Sequence, residues 1–181
     1  MNLRVTLSTR RQSAIEIFNR LRRQALLRRF TSALLGNGAA LDDFAALQPC
    51  LNPNRRYAGF QDIPVSQING SVGRSKDFDR SFRPLKKHLA NRWAACYLFL
   101  QDGNWPSIRV YRVGSQYFVE DGHHRVSVAR SRGMSYILAE VWEYELKQSP
   151  AAAPAEARPE KESAWIPEAA GGCEVMPCAD F

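Results

Sequence analysis

The stretch that decides the fold runs from Val110 to Glu145, VYRVGSQYFVEDGHHRVSVARSRGMSYILAEVWEYE. Ile108 to Val113 is rich in β-branched and aromatic residues, Gly114-Ser115 offers a tight turn, and Tyr117-Phe118-Val119 resumes the same character. That pattern predicts a β-hairpin. Arg125 to Arg132 carries Val126, Val128 and Ala129 and stops at Gly133, which predicts a short helix, and Tyr136 to Tyr144 reads as a closing strand. A hairpin, a helix and a further strand in this order predict an α+β fold, a small mixed sheet with packed helices.

Working outward, residues 84–101 place Leu85, Leu89, Trp93, Cys96, Tyr97 and Leu100 on one helical face, with Pro84 expected in the first turn and Gly103 beyond the end. Ile63-Pro64-Val65 reads as a brief edge strand, because proline cannot donate to a ladder. Gly70 to Gly73 reads as a loop, and residues 41–51 as a short helix closed by Pro49 and the Asn52-Pro53-Asn54 cluster. At the front, Ala14, Phe18, Leu21 and Ala25 set a helical rhythm that continues through Leu26, Phe30 and Leu34 to Gly36 and Gly38, predicting a helix from Ser13 to Leu35. The expected division is a basic helical extension over residues 1–54, a domain over 55–147, and an acidic Ala/Pro/Glu-rich tail over 148–181 with no periodicity to order it.

With 181 residues, 45% hydrophobic and 24% charged, the chain has a globular balance and room for one core. No apolar run reaches the roughly 18 to 20 residues that cross a bilayer. The net charge of +7 is uneven: residues 1–30 hold eight arginines against Glu16, while the tail is acidic. A basic helix of this kind either docks on its own domain with its arginines in water, or lies on DNA or anionic lipid. Four cysteines without a secretory signal pattern suggest reduced thiols and a cytoplasmic setting. No C-x-x-C pair accompanies His88, His123 and His124, so no structural zinc site is expected. The oligomeric state is left open.

Two segments carry the chemistry. Glu120-Asp121-Gly122-His123-His124-Arg125 lies where a strand ends and a helix starts. Glycine lets the backbone approach a ligand there, the free N–H groups of the first turn favour a phosphate, and Arg125 would add a bidentate donor. Asp121 has a structural alternative as the helix cap, and the two histidines, about 100° apart on a helix, would not both face one ligand. Gly70-Ser71-Val72-Gly73-Arg74 offers a glycine-bracketed loop for a phosphate, with Asp77 and Asp79 following as candidates to hold magnesium or act as a base. Surface pairing with Lys76 and Arg80 is the alternative for those aspartates.

The stretches IPVSQINGSVGR and VYRVGSQYFVEDGHHRVSVARSRGMSYILAEVWEYE, separated by a helix, resemble the ParB/sulfiredoxin fold over roughly residues 57–145. They are similar, more closely, to bacterial ParB-like proteins in which G-S-V-G-R and D-G-[HN]-H-R recur together. The resemblance implies nucleotide binding, ATP or CTP with Mg2+, at the turn: Asp121, Gly122, His123, His124 and Arg125 on one side, and Ser71, Gly73 and Arg74 on the other. Sulfiredoxins carry a cysteine two residues before the arginine of this turn, where His123 stands here, so sulfinic-acid reduction is not expected. Partitioning ParB proteins carry G-E-R-R at the turn and a helix-turn-helix downstream, whereas here the turn has His123-His124-Arg125 and residues 148–181 are expected to be a disordered tail, so centromere recognition of the usual kind is not expected. Free serine kinases share a D-G-H-H-R-like turn, so the resemblance implies an NTPase or small-molecule kinase, with Asp77, Asp79, Glu120 and His123 as candidate catalytic residues. The alternative is a DNA-binding, partitioning-type accessory protein that uses the arginine helix.

Overall fold

A computed structural model describes residues 3–34, 40–101 and 105–147. The tail expected over 148–181, and with it Trp165, Ile166, Cys173 and Cys178, lies outside the described residues. The helices are α1 (Leu3–Leu34), α2 (Phe44–Leu47), α3 (Ala90–Gln101) and α4 (His123–Ser131). The strands are β1 (Asp42–Asp43), β2 (Leu51–Pro64), β3 (Ile68–Ser71), β4 (Ile108–Val113), β5 (Gln116–Asp121) and β6 (Tyr136–Leu146). They form one mixed sheet in the order β1-β3-β5-β4-β6-β2. β4 and β5 make the expected hairpin, and α4 returns the chain so that β6 lies parallel to β4. β3 runs parallel to both β5 and β1, while β2 closes the other edge antiparallel to β6.

Alternation along the strands sends side chains to two faces. Ile63, Ile108, Val110, Val119, Ile137, Ala139 and Val141 face the helices, where they bury against Phe18, Trp93, Tyr97, Val126, Val128 and Ala129. On the other face Tyr111, Val113 and Phe118 pack with Phe44 and Leu51 into a smaller aromatic cluster. Gly70 belongs to β3 because the Phe118 ring takes its side-chain space: a Cβ there would lie 2.1 Å from Cδ1. The segment read as a loop is therefore half strand, and only Gly73, at φ 75°, is turn.

Differences from the sequence expectations have local causes. α1 starts at Leu3 rather than Ser13, since no glycine or proline interrupts residues 3–12 and a nucleated helix gains a hydrogen bond with each added residue. The edge strand around Pro64 is the end of a 14-residue strand, and its edge position is the one proline tolerates. The division drawn at residues 54 and 55 falls inside β2. α3 starts at Ala90, after a 3-10 turn over Lys87–Leu89, because Pro84 is buried and bridged to Phe78 in the preceding loop. No described helix is long and apolar enough to cross a membrane.

Helix α1 shares the main core. The Phe18 ring packs 5.9 Å from the indole of Trp93, both fully buried, with Ala14 beside them. The Trp93 indole in turn donates to Ser127 Oγ at 2.9 Å, which ties α3 to α4. Phe18→Ala is therefore expected to lower stability by about 3–5 kcal/mol. Urea denaturation of the two proteins checks this, and an unchanged midpoint would mean that α1 is a detachable arm.

Candidate functional site

The turn from β5 into α4 builds the site. Gly122 takes φ 100°, a left-handed conformation, and a Cβ there would lie 2.4 Å from Ile108 Cγ2. Both constraints call for glycine. Val126 N–H donates to Gly122 O at 3.0 Å, closing the first helical bond. The N–H groups of His123, His124 and Arg125 thus have no acceptor inside the helix, and Gly122 brings no side chain to cap them. Asp121, expected as the cap, is instead the last residue of β5 and pairs with Arg125 one turn on.

Around this bare helix start lies a cavity of about 760 Å³. One wall comes from the turn, from Glu120 to Arg125, and the opposite wall from Arg92, Cys96 and Phe99 of α3, with Trp105, Pro106 and Arg74 completing it. Arg74 and Arg92 have no carboxylate partner among the described residues. Arg125 differs: besides Asp121, its guanidinium donates to the carbonyls of Pro106, at 3.0 Å, and Ser107, at 2.6 Å. It braces the approach to β4, and it lies mostly buried in doing so.

Both histidines are buried and both line the cavity, although they are adjacent in sequence. Nε2 of His123 shares a 2.7 Å hydrogen bond with Ser71 Oγ, which also accepts the Arg74 N–H at 3.1 Å. The β3 end is thereby fastened to α4. His124 lies edge-on to the Phe78 ring and is 8% exposed, with neither ring nitrogen hydrogen-bonded. The Trp105 Nε1 is likewise buried without a partner. An unpaired buried donor or acceptor costs roughly 1–3 kcal/mol, and these atoms leave hydrogen-bonding capacity unused at the cavity.

Burial pushes His123 and His124 down to about 4, and the charge of Arg74 adds to the effect at both rings. They are neutral at pH 7. Burial also raises the Cys96 thiol, against the opposing pull of Arg125 and Arg92, so it stays protonated. At Tyr111 burial first and then Glu120 hold the phenol proton up to about 12.

The other residues expected from sequence fall outside this cavity or are bound within the fold. Asp77 pairs with Lys86 at 2.7 Å. Asp79, buried, accepts the backbone N–H groups of Ser81 and Arg83, and so holds Phe82 at φ 55°. Ser71 is fully buried behind His123, and Gly73 is exposed away from the wall. Glu120 lines the cavity edge, but one oxygen accepts from Tyr111 and the other lies 3.7 Å from Arg109 Nε, on the far face of the sheet. The sequence reading missed Arg92, Phe99, Trp105 and Pro106 at the cavity, while Cys96, expected on the apolar face of its helix, packs against the core and also lines the cavity. The 92, 96, 99 spacing, i, i+4, i+7 on α3, was the available signal.

No family model matches the chain, and no curated protein matches it. A solved structure of sulfiredoxin from Arabidopsis thaliana is similar over 48% of this chain and 86% of that one, at 18% identity and a TM-score of 0.35. The mixed α+β fold stands on the sheet order and the helices packed against it.

The histidine pair predicts a pH dependence. In the unfolded chain each imidazole gains its proton near 6.5; in the fold neither does until about 4. The unfolded state binds more protons in between, so this stability is complete above about pH 6.5 and is lost as pH falls toward 4. Urea midpoints measured from pH 7 downward should decline across that window, and His124→Gln should remove about half of the slope. A flat profile would mean that the rings are protonated inside the fold.

Proposed function

We propose that the cavity at the α4 start binds the phosphates of a nucleotide, ATP or CTP, and that the domain is a ParB/sulfiredoxin-like nucleotide-binding module. The observation that carries this reading is the combination of an uncapped helix start with Arg74, Arg92 and an unpaired His124 at one cavity. A phosphate would accept from the first-turn N–H groups, two guanidinium groups would neutralise it, and the helix dipole favours it further. Trp105, Phe99 and Pro106 supply an apolar wall for a base, and the Trp105 indole N–H supplies a donor.

Among the described residues no group of three or more His, Cys, Asp or Glu side chains is assembled to hold a metal ion. Magnesium would arrive on the nucleotide's own phosphates, as it commonly does, and not in a protein cage. A phosphotransferase or NTPase role would rest on Glu120 and Asp121, the two carboxylates at the cavity, each of which has a cationic partner. Binding is thus the better supported part of the reading. Within it Arg125 is a positioning residue and Arg74 and Arg92 are the phosphate contacts.

Calorimetric titration with ATP and CTP, with and without magnesium, tests this. Arg74→Ala and Arg92→Ala are each expected to weaken binding by tenfold or more with little change in stability. Arg125→Ala should lower stability by about 1–3 kcal/mol through the loss of its charged hydrogen bonds. Wild-type affinity in the Arg74 and Arg92 variants, or no binding by the folded wild type, would overturn the reading.

A further inference from the structure

The apolar residues of α1 that sequence periodicity joins into one stripe are divided by the fold into two. Ala14, Phe18 and Ala25 are buried, whereas Leu26 is 41%, Leu27 67% and Phe30 67% exposed. At about 100° per residue, Phe30 lies about 40° and Leu27 about 100° from Leu26, while Phe18 and Ala25 lie about 260–280° around. The second stripe therefore points away from the protein's own core. Arg20 and Arg23 lie in or beside its sector one to two turns earlier, and Arg28 and Arg29 flank it; all four are exposed. None of the four has a carboxylate partner among the described residues, and Glu16 is the sole acidic residue of the helix.

We propose that the carboxy-terminal half of α1 lies on an anionic lipid surface, with Leu26, Leu27 and Phe30 inserted at the acyl boundary and Arg20, Arg23, Arg28 and Arg29 at the lipid phosphates. Charge complementarity selects the partner. A second copy of this helix would set arginine against arginine with one glutamate to offset them. A nucleic acid would satisfy the arginines but leave three large apolar side chains in water. An anionic bilayer takes both: the apolar ridge enters the interface, and the long arginine stems let their charges reach the headgroups. The ridge is also convex, the surface of a single helix, which suits insertion better than the groove a peptide partner needs. The helix is too polar to span, so the attachment is peripheral.

The test is co-sedimentation of the full chain with vesicles of phosphatidylcholine alone and of phosphatidylcholine mixed with phosphatidylglycerol, with duplex DNA titrated in parallel. Two variants are compared: Leu26→Ser, Leu27→Ser, Phe30→Ser together, and Arg20→Gln, Arg23→Gln, Arg28→Gln, Arg29→Gln together. All seven side chains are exposed and unpaired, so circular dichroism and the urea midpoint are expected to match wild type. The proposal expects binding to the anionic vesicles alone, weakened by salt, and weakened at least tenfold in each variant. Three outcomes would overturn it: no binding to anionic vesicles, undiminished binding by the serine variant, or DNA binding in place of lipid binding. Nucleotide titration of both variants should be unchanged, because the cavity at α4 shares none of these residues.

Discussion

The site depends on one backbone position. Gly122 must turn the chain through a left-handed conformation while Ile108 of the neighbouring strand occupies the space where a side chain would begin. That turn starts α4 directly against β4, and the Glu120–Arg125 wall of the cavity follows from it. His123 is brought onto Ser71, His124 edge-on to the Phe78 ring, and Arg125 back onto the carbonyls of Pro106 and Ser107. A cap-free helix start results, because the residue that would cap it has no side chain.

Polar groups within this small region have different standing. Asp79 and Arg130 are held by backbone partners: the aspartate accepts two loop amides, and Arg130 donates to the carbonyls of Arg80, Val65 and Ile68. They fasten loops. Arg74, Arg92, His124 and the Trp105 indole have no such partners, and all four line the same cavity. Of the buried polar atoms without a hydrogen-bond partner, both His124 ring nitrogens, Trp105 Nε1 and Glu120 Oε2 belong to cavity residues, Arg130 Nε lies outside the cavity, and Arg92 is exposed. Arg125 lines the cavity too, with its guanidinium held by Asp121 and by the Pro106 and Ser107 carbonyls.

The charge distribution has a structural counterpart. In the body of the domain four arginines pair with carboxylates: Arg56 and Arg112 with Glu143, Arg109 with Glu140, and Arg125 with Asp121. On α1, Arg22 donates to Leu85 O at 3.0 Å, while Arg20, Arg23, Arg28 and Arg29 stay in solvent. Of the arginines without a carboxylate partner among the described residues, Arg74 and Arg92 line the cavity and Arg20, Arg23, Arg28 and Arg29 lie on the first helix, while Arg55, Arg80, Arg83, Arg130 and Arg132 are spread over the rest of the domain.

The hairpin, the helix after it, the closing strand and the α+β class were legible in sequence, because strand alternation, turn glycines and helical spacing are local properties of a few residues. The D-G-H-H-R turn was legible for the same reason, as a strand end that passes through glycine into a helix. Partner choice was not. Asp79 and Arg125 look like functional residues by type, yet their partners lie in loops and strands that only the sheet brings near. Arg92, Phe99 and Trp105 are distant in sequence from the turn they face. The two stripes of α1 read as one, since periodicity records which side chains are apolar and not how far the packed core extends along a helix. Full burial on α1 ends at Ala25, and that limit belongs to the tertiary structure.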